Sequence, residues 1–174
     1  DRRQRQMCIR DSPGRSWVAS RFRGPYQRDA LMDAGYLVET FETVVVWSAI
    51  DDTHHTLAEV VRAQLGDDSH VMAHISHSYE VGASLYFTVL AGARSDPRAS
   101  MDRWRSAKAA IMGALAECGA AVSHHHGVGR DHRDYMRPAI SPVGEDILRA
   151  MKKTLDPGWI MNPGALVTRP DGQR

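Results

Sequence analysis

Residues Leu37 to Gly66 read LVETFETVVVWSAIDDTHHTLAEVVRAQLG, and two different periods stand side by side in them. Through Leu37–Trp47, β-branched and aromatic residues dominate and the first half alternates apolar with polar, the pattern of a strand with one wet face. From Asp51 the spacing changes. Capping residues lead into Leu57, Val60, Val61 and Leu65 at helical intervals, and Gly66 follows as a stop. The stretch is therefore one strand-helix unit, and the rest of the chain repeats or extends it.

Downstream, HVMAHISHSYEVGASLYFTVLAGA (His70–Ala93) reads as two strands about a turn near Glu80–Gly82. DPRASMDRWRSAKAAIMGALAECG (Asp96–Gly119) puts Met101, Trp104, Ala107, Ala110, Ile111, Ala114 and Leu115 on one helical face, behind Asp96-Pro97 and ahead of Gly119. A fourth strand is expected at AAVSHH (Ala120–His125). The order strand, helix, strand, strand, helix, strand is the split βαβ pattern. It predicts an α+β, ferredoxin-like antiparallel sheet with its helices on one face and its other face open to cover something else. Upstream, the sequence predicts a turn and then a short helix from about Pro25, ended by Gly35. At the other end, SPVGEDILRAMKKTL reads as a helix with Ser141 as cap, Pro142 in its first turn and lysines near its end, followed by the turn-rich DPGWIMNPGAL.

The chain has 174 residues, 43% hydrophobic and 25% charged, with a formal net charge of +1. These values fit one soluble domain and exclude a general electrostatic field for nucleic acid. No apolar run approaches the roughly 20 residues that span a bilayer, and no leader pattern is evident, so a cytoplasmic protein is expected. Cys8 and Cys118 are far apart with no CxxC partner, which argues against a disulfide scaffold or a structural zinc site; Cys118 is expected to be a small buried hydrophobe. Residues 1–12 lack any apolar period and are expected to be a non-native or disordered tail. The domain is expected over 13–167, with a disordered tail at 168–174.

AAVSHHHGVGRDHRDYM (Ala120–Met136) carries the densest chemistry. On a strand His124 and His126 would point one way and His125 the other, so the three rings would not converge on one ion and no metal is expected. His132 and the His70, His74, His77 group keep that alternative alive. Imidazoles crowded together near arginines repel a second positive charge, which leaves some rings neutral and able to accept protons. The cluster suits proton transfer.

SHHHGVGR resembles the C-terminal cap domain of the alkyldihydroxyacetonephosphate synthases (alkylglycerone-phosphate synthases), in the vanillyl-alcohol-oxidase group of FAD-linked oxidases. RFRGPYQRD, ETFETVVVW and SYEVGASLYF are similar to three further blocks of that family. DPGWIMNPGAL is similar to a tail shared more widely by FAD-linked oxidases. Relatives acting on D-lactate or glycolate tend to have Glu-His-Gly-Ile-Gly where this chain has HHHGVG, so the histidine run carries the subfamily. Arg130 stands where a lysine is usual.

The resemblance implies FAD as cofactor, bound chiefly by an N-terminal domain that this chain lacks, so the fragment alone is expected to be inactive. It implies acyl-dihydroxyacetone phosphate and a fatty alcohol as substrates, the acyl chain being exchanged for the alcohol to form an ether bond with the flavin as an electrophilic trap. Tyr86 takes the position of the proton acceptor. His124, His125 and His126 flank the flavin and substrate, and Arg28 and Arg130 bind substrate. His125, His126 and Asn162 touch the cofactor. Tyr79, Glu39 and Glu42 lie in matched blocks and read as structural. The alternative within the family is an FAD-dependent oxidoreductase of 2-hydroxy acids. Outside it, a metal-binding or interaction module would use the histidines instead. Peripheral membrane contact and a homodimer are left open, and no nucleic-acid partner is expected.

Overall fold

The computed structural model describes residues 14–169. The expected N-terminal tail with Cys8, and positions 170–174 of the expected C-terminal tail, lie outside these residues. Among the described residues there are three strands and five α-helices: α1 (14–20), α2 (Gly24–Asp33), β1 (Tyr36–Val46), α3 (Ile50–Leu65), β2 (His70–Ser78), β3 (Gly82–Gly92), α4 (Pro97–Glu117) and α5 (Met136–Leu155). The sheet order is β1-β3-β2, antiparallel throughout. No helix of the described residues is long and apolar enough to cross a membrane.

The core lies between one sheet face and the helices α3 and α4. Phe41, Leu85, Phe87 and Val89 project from the strands, and Leu57, Val61, Ile111, Met112 and Leu115 meet them from the helices. Phe41 and Phe87 stack with centroids 4.8 Å apart. Each such side chain, fully removed from water, contributes about 1.5–3 kcal/mol. Asp96 caps α4, its carboxylate accepting from the backbone N–H groups of Arg98 and Ala99. Cys118 ends that helix half-buried against the core.

Three expectations change. The segment read as a turn before Pro25 is helical at 14–20, with a 3₁₀ turn at Arg21–Arg23 before α2. Both helices of the split pattern, α3 and α4, share one face as expected, but the other face is not wholly open, because α2 lies over its far end, where it walls a groove with Val38, Thr40, Met72 and Thr88. The fourth strand does not form. Its residues do run antiparallel along the free edge of β1, where a split βαβ fold puts them, but through two backbone hydrogen bonds only: Ala121 N–H to the Val44 carbonyl and His124 N–H to the Glu42 carbonyl. The chain then turns sharply, His125 taking φ 38° and His126 N–H reaching back to the His124 carbonyl. Regular pairing cannot continue through a residue in that conformation.

The expected cap at Ser141 holds in a modified form. Ser141 (φ 68°, ψ 161°) breaks α5 into two helical pieces, and its hydroxyl accepts from the N–H of Gly144, so the second piece starts at Pro142 as read.

Candidate active site

On β1, Glu42 points to the open face, opposite Tyr86 of β3. On β2, His74 lies opposite the same Tyr86. Strand alternation would send Ser76 to the open face and His77 to the core, but β2 carries a bulge here: Ile75 pairs with Leu85 and Ser78 with Ala83, so two residues face Ser84 alone. The bulge re-aims the strand. Ser76 Oγ bonds Glu42 Oε1 and lies 2.6 Å from Ser84 Oγ, while His77 N–H donates to Ser84 Oγ and His77 Nδ1 comes within 3.5 Å of Glu42 Oε1. Gly82, next to the turn, packs so closely on β1 that an added Cβ would stand 2.1 Å from the Val45 carbonyl oxygen. Only glycine fits there, which gives the glycine of SYEVGASLYF a steric cause.

The turn at His125 brings the whole histidine run over this carboxylate. His124 Nδ1 is 3.2 Å from Glu42 Oε1, His125 Nδ1 3.2 Å and His126 Nε2 3.4 Å from Oε2. The expected alternation of the three rings is thus overturned: the segment is a turn, not a strand, and its imidazoles converge. With it goes the geometric argument against a shared ion. Glu42, His77, His124 and His125 each offer a ligand atom, all within 4.8 Å of one another.

Glu42 is the centre of the site, with its side chain fully buried. Burial by itself would raise its pKa, but hydrogen bonds from Ser76, Ser84 and His124, together with the charge of His125, outweigh that and hold the carboxyl below its ordinary range. It is ionised at neutral pH. Its Oε2 has no hydrogen bond of good geometry, so the partly exposed His125 and His126 beside it are the groups able to compensate it. Sequence reading classed this glutamate as structural. The sign available was its place on the wet face of a strand otherwise rich in valine, although nothing local shows what lies above it.

Tyr86 and the histidine run come together as expected: its ring stands edge-on to His126 with centroids 5.7 Å apart, and tilted against His74 at 5.1 Å. Tyr86 also lines the groove of about 590 Å³ beneath α2, and Arg28 lines the same groove. Tyr86 thus joins the histidine cluster to the groove. Arg130 sits elsewhere. Its Nε and Nη2 both donate to the Pro163 carbonyl, and Arg133 Nη1 donates to the Gly164 carbonyl; the two arginines border a second hollow of about 520 Å³. Asn162 (φ 47°) is exposed in the same C-terminal turn, where its carbonyl accepts from Ala165 N–H. The expected residues therefore form two groups, His124–His126 with Tyr86 and Arg28, and Arg130 with Asn162.

Known proteins match this chain closely enough to read the site against them. The family described as FAD linked oxidases, C-terminal domain, matches residues 7–166. Alkyldihydroxyacetonephosphate synthase of Dictyostelium discoideum is 31% identical over 160 residues, which cover 90% of this chain and 26% of that protein. The enzyme of the same name from Trypanosoma brucei brucei is 29% identical over 174 residues, 96% of this chain and 27% of its own. A solved structure of alkyldihydroxyacetonephosphate synthase superposes with a TM-score of 0.60 at 25% identity, covering 87% of this chain and 25% of that one. The chain spans about a quarter of the length of these relatives.

Proposed function

We propose, because this chain belongs to the family of FAD linked oxidases, C-terminal domain, that it is the substrate-side domain of an FAD-dependent enzyme exchanging the acyl chain of acyl-dihydroxyacetone phosphate for a fatty alcohol. One observation carries the reading: His124, His125 and His126 surround a single buried, ionised carboxylate on the open face of the sheet, and Tyr86 stands edge-on to His126 beside it. The relatives that match nearly the whole chain are named for that synthase activity.

The residues fit the cofactor. An isoalloxazine presents ring nitrogens and carbonyls that accept hydrogen bonds and a flat face that stacks. His125 and His126 are partly exposed and aromatic, so their rings offer N–H donors to such acceptors and a flat face to stack on. When bound, FAD supplies the electron-accepting ring that makes the exchange possible.

The work of the protein side is proton handling and anion binding. Tyr86 takes a proton from the carbon next to the substrate ketone, its phenolate steadied by the imidazoles on either side, His126 and His74. Arg28, at the groove shared with Tyr86, grips the phosphate with its planar fork. His125 and His126 return protons to the departing carboxylate and take them from the entering alcohol. Glu42 keeps these rings in place and offsets positive charge that collects on them. Arg130, by holding the Pro163 carbonyl, fixes the turn that carries Asn162 toward the cofactor.

The test is turnover by the complete protein that carries this domain. Release of fatty acid from palmitoyl-dihydroxyacetone phosphate, dependent on added hexadecanol and abolished by His125→Ala or His126→Ala in a folded protein, is the expected result. Dye reduction driven by D-lactate without acyl exchange would sink the proposal.

A further inference from the structure

Tyr86 touches the histidine run through ring faces, but a second phenol is hydrogen-bonded to it. Tyr79 Oη lies 2.7 Å from His124 Nε2. The other nitrogen of that ring, Nδ1, faces Glu42 Oε1 at 3.2 Å. An ionised carboxylate only accepts, so the hydrogen between them belongs to His124 Nδ1, and Nε2 is left to accept from the phenol. We propose that Tyr79, His124 and Glu42 form a proton relay, in which Tyr79 is the acid-base group at the outer end and His124 and Glu42 are the residues that position and activate it.

Two observations decide the direction. His125 Nδ1 is 3.0 Å from His124 Nδ1, so with both rings neutral only one of these nitrogens carries the hydrogen between them. The His124 side chain is 16% exposed and that of His125 53%. The more buried ring needs its partners within the protein, whereas water can serve the exposed one. Tyr79 is held by its backbone and by one face of its ring. Tyr79 N–H donates to the Gly82 carbonyl, the Tyr79 and Glu80 carbonyls both accept from Trp47 Nε1, and the ring stacks parallel to His77. Yet Tyr79 remains 44% exposed, so a substrate can reach it.

In the step this geometry allows, the Tyr79 O–H bond breaks as its proton moves to His124 Nε2, and the imidazolium stays bonded through Nδ1–H to Glu42. The phenolate then takes a hydroxyl proton from the substrate, the proton on carbon being left to Tyr86, and the imidazolium gives its Nε2 proton to a substrate oxygen. No electrons change hands. The relay rests on the reading above only for the identity of that substrate.

Histidine ¹⁵N shifts of the labelled chain at neutral pH test it directly. His124 should show a protonated Nδ1 and an accepting Nε2. Tyr79→Phe should move the Nε2 signal, and Glu42→Gln should mix the tautomers while Glu42→Asp restores the original one in part. A His124 ring protonated at Nε2, signals unmoved by Tyr79→Phe, or a pattern that collapses on adding EDTA would each overturn the relay. In the complete enzyme Tyr79→Phe should lower kcat about 100-fold with little change in KM. It should also flatten the pH profile to which Glu42, His77, His125 and Tyr79 all contribute around His124. Unchanged kcat and profile would overturn it too. Should the wild-type enzyme fail to exchange acyl chains while the tautomer pattern holds, the substrate assignment falls and the relay stands.

Discussion

Glu39 and Glu42 lie three residues apart on β1 and so face opposite sides of the sheet. Glu39 points toward α4, where Trp104 Nε1–H bonds one oxygen and Lys108 Nζ stands 3.5 Å from the other; the ammonium also pairs with Asp131 at 2.5 Å. Glu42 has four imidazoles and two serines. A lysine is a standing cation, whereas an imidazole gains or loses its charge near neutrality. One carboxylate thus sits in a lock and the other beside a set of switches. What separates the two acids is the kind of group placed beside each, since both are charged residues on the same strand.

The largest expected effect comes from removing the lock. Lys108, only 5% exposed, holds two carboxylates, and Lys108→Ala should destabilise the domain by about 3 kcal/mol in urea unfolding. A cost under 1 kcal/mol would mean that the two glutamates are not distinguished in this way. Glu42→Gln should cost roughly 2 kcal/mol at pH 7, through donors left unmatched around the amide. That gap is itself pH-dependent. Because the folded protein holds Glu42 below its ordinary range, the folded state binds fewer protons than the unfolded one, and the wild type loses this advantage as pH falls below about 4.5. The stability curves of the two proteins should therefore approach each other in acid, and parallel curves would contradict the environment described.

Trp104→Phe keeps the packing on α4 and deletes one donor to Glu39, so about 1 kcal/mol is expected, with no change in any histidine signal of the Glu42 cluster. The smallest effect belongs to His132. Burial, and then the charge of Lys108, push this imidazole below its ordinary value, so it enters the fold neutral. The unfolded chain binds the extra proton, and stability should fall as pH drops through about 6.5. His132→Gln should remove that slope in a series of melting curves.

Much of the fold could be read from periodicity because each strand and helix has one apolar side that water alone would select. The α4 signal was complete in itself, with Asp96 and Pro97 opening it and Gly119 just beyond. The sequence could not show that Ala120–His125 runs beside β1 without joining its ladder, since that depends on a positive φ at His125, a residue type with no strong demand for it. It also could not show the bulge at Ser76–His77, which alternation actively hides. The site was legible in its residue types: Tyr86 does meet the histidine run. The buried acid beneath that run and the second phenol beside it were not, because both are joined to it by contacts across more than forty residues of chain.

The segment Ala121–His124, which delivers the imidazoles, is also what covers the outer margin of β1. Bare strand margins invite pairing with another molecule. Chemistry and solubility are therefore tied to one short piece of backbone, and a substitution that pries it loose should produce protein that clumps as well as protein that fails to react.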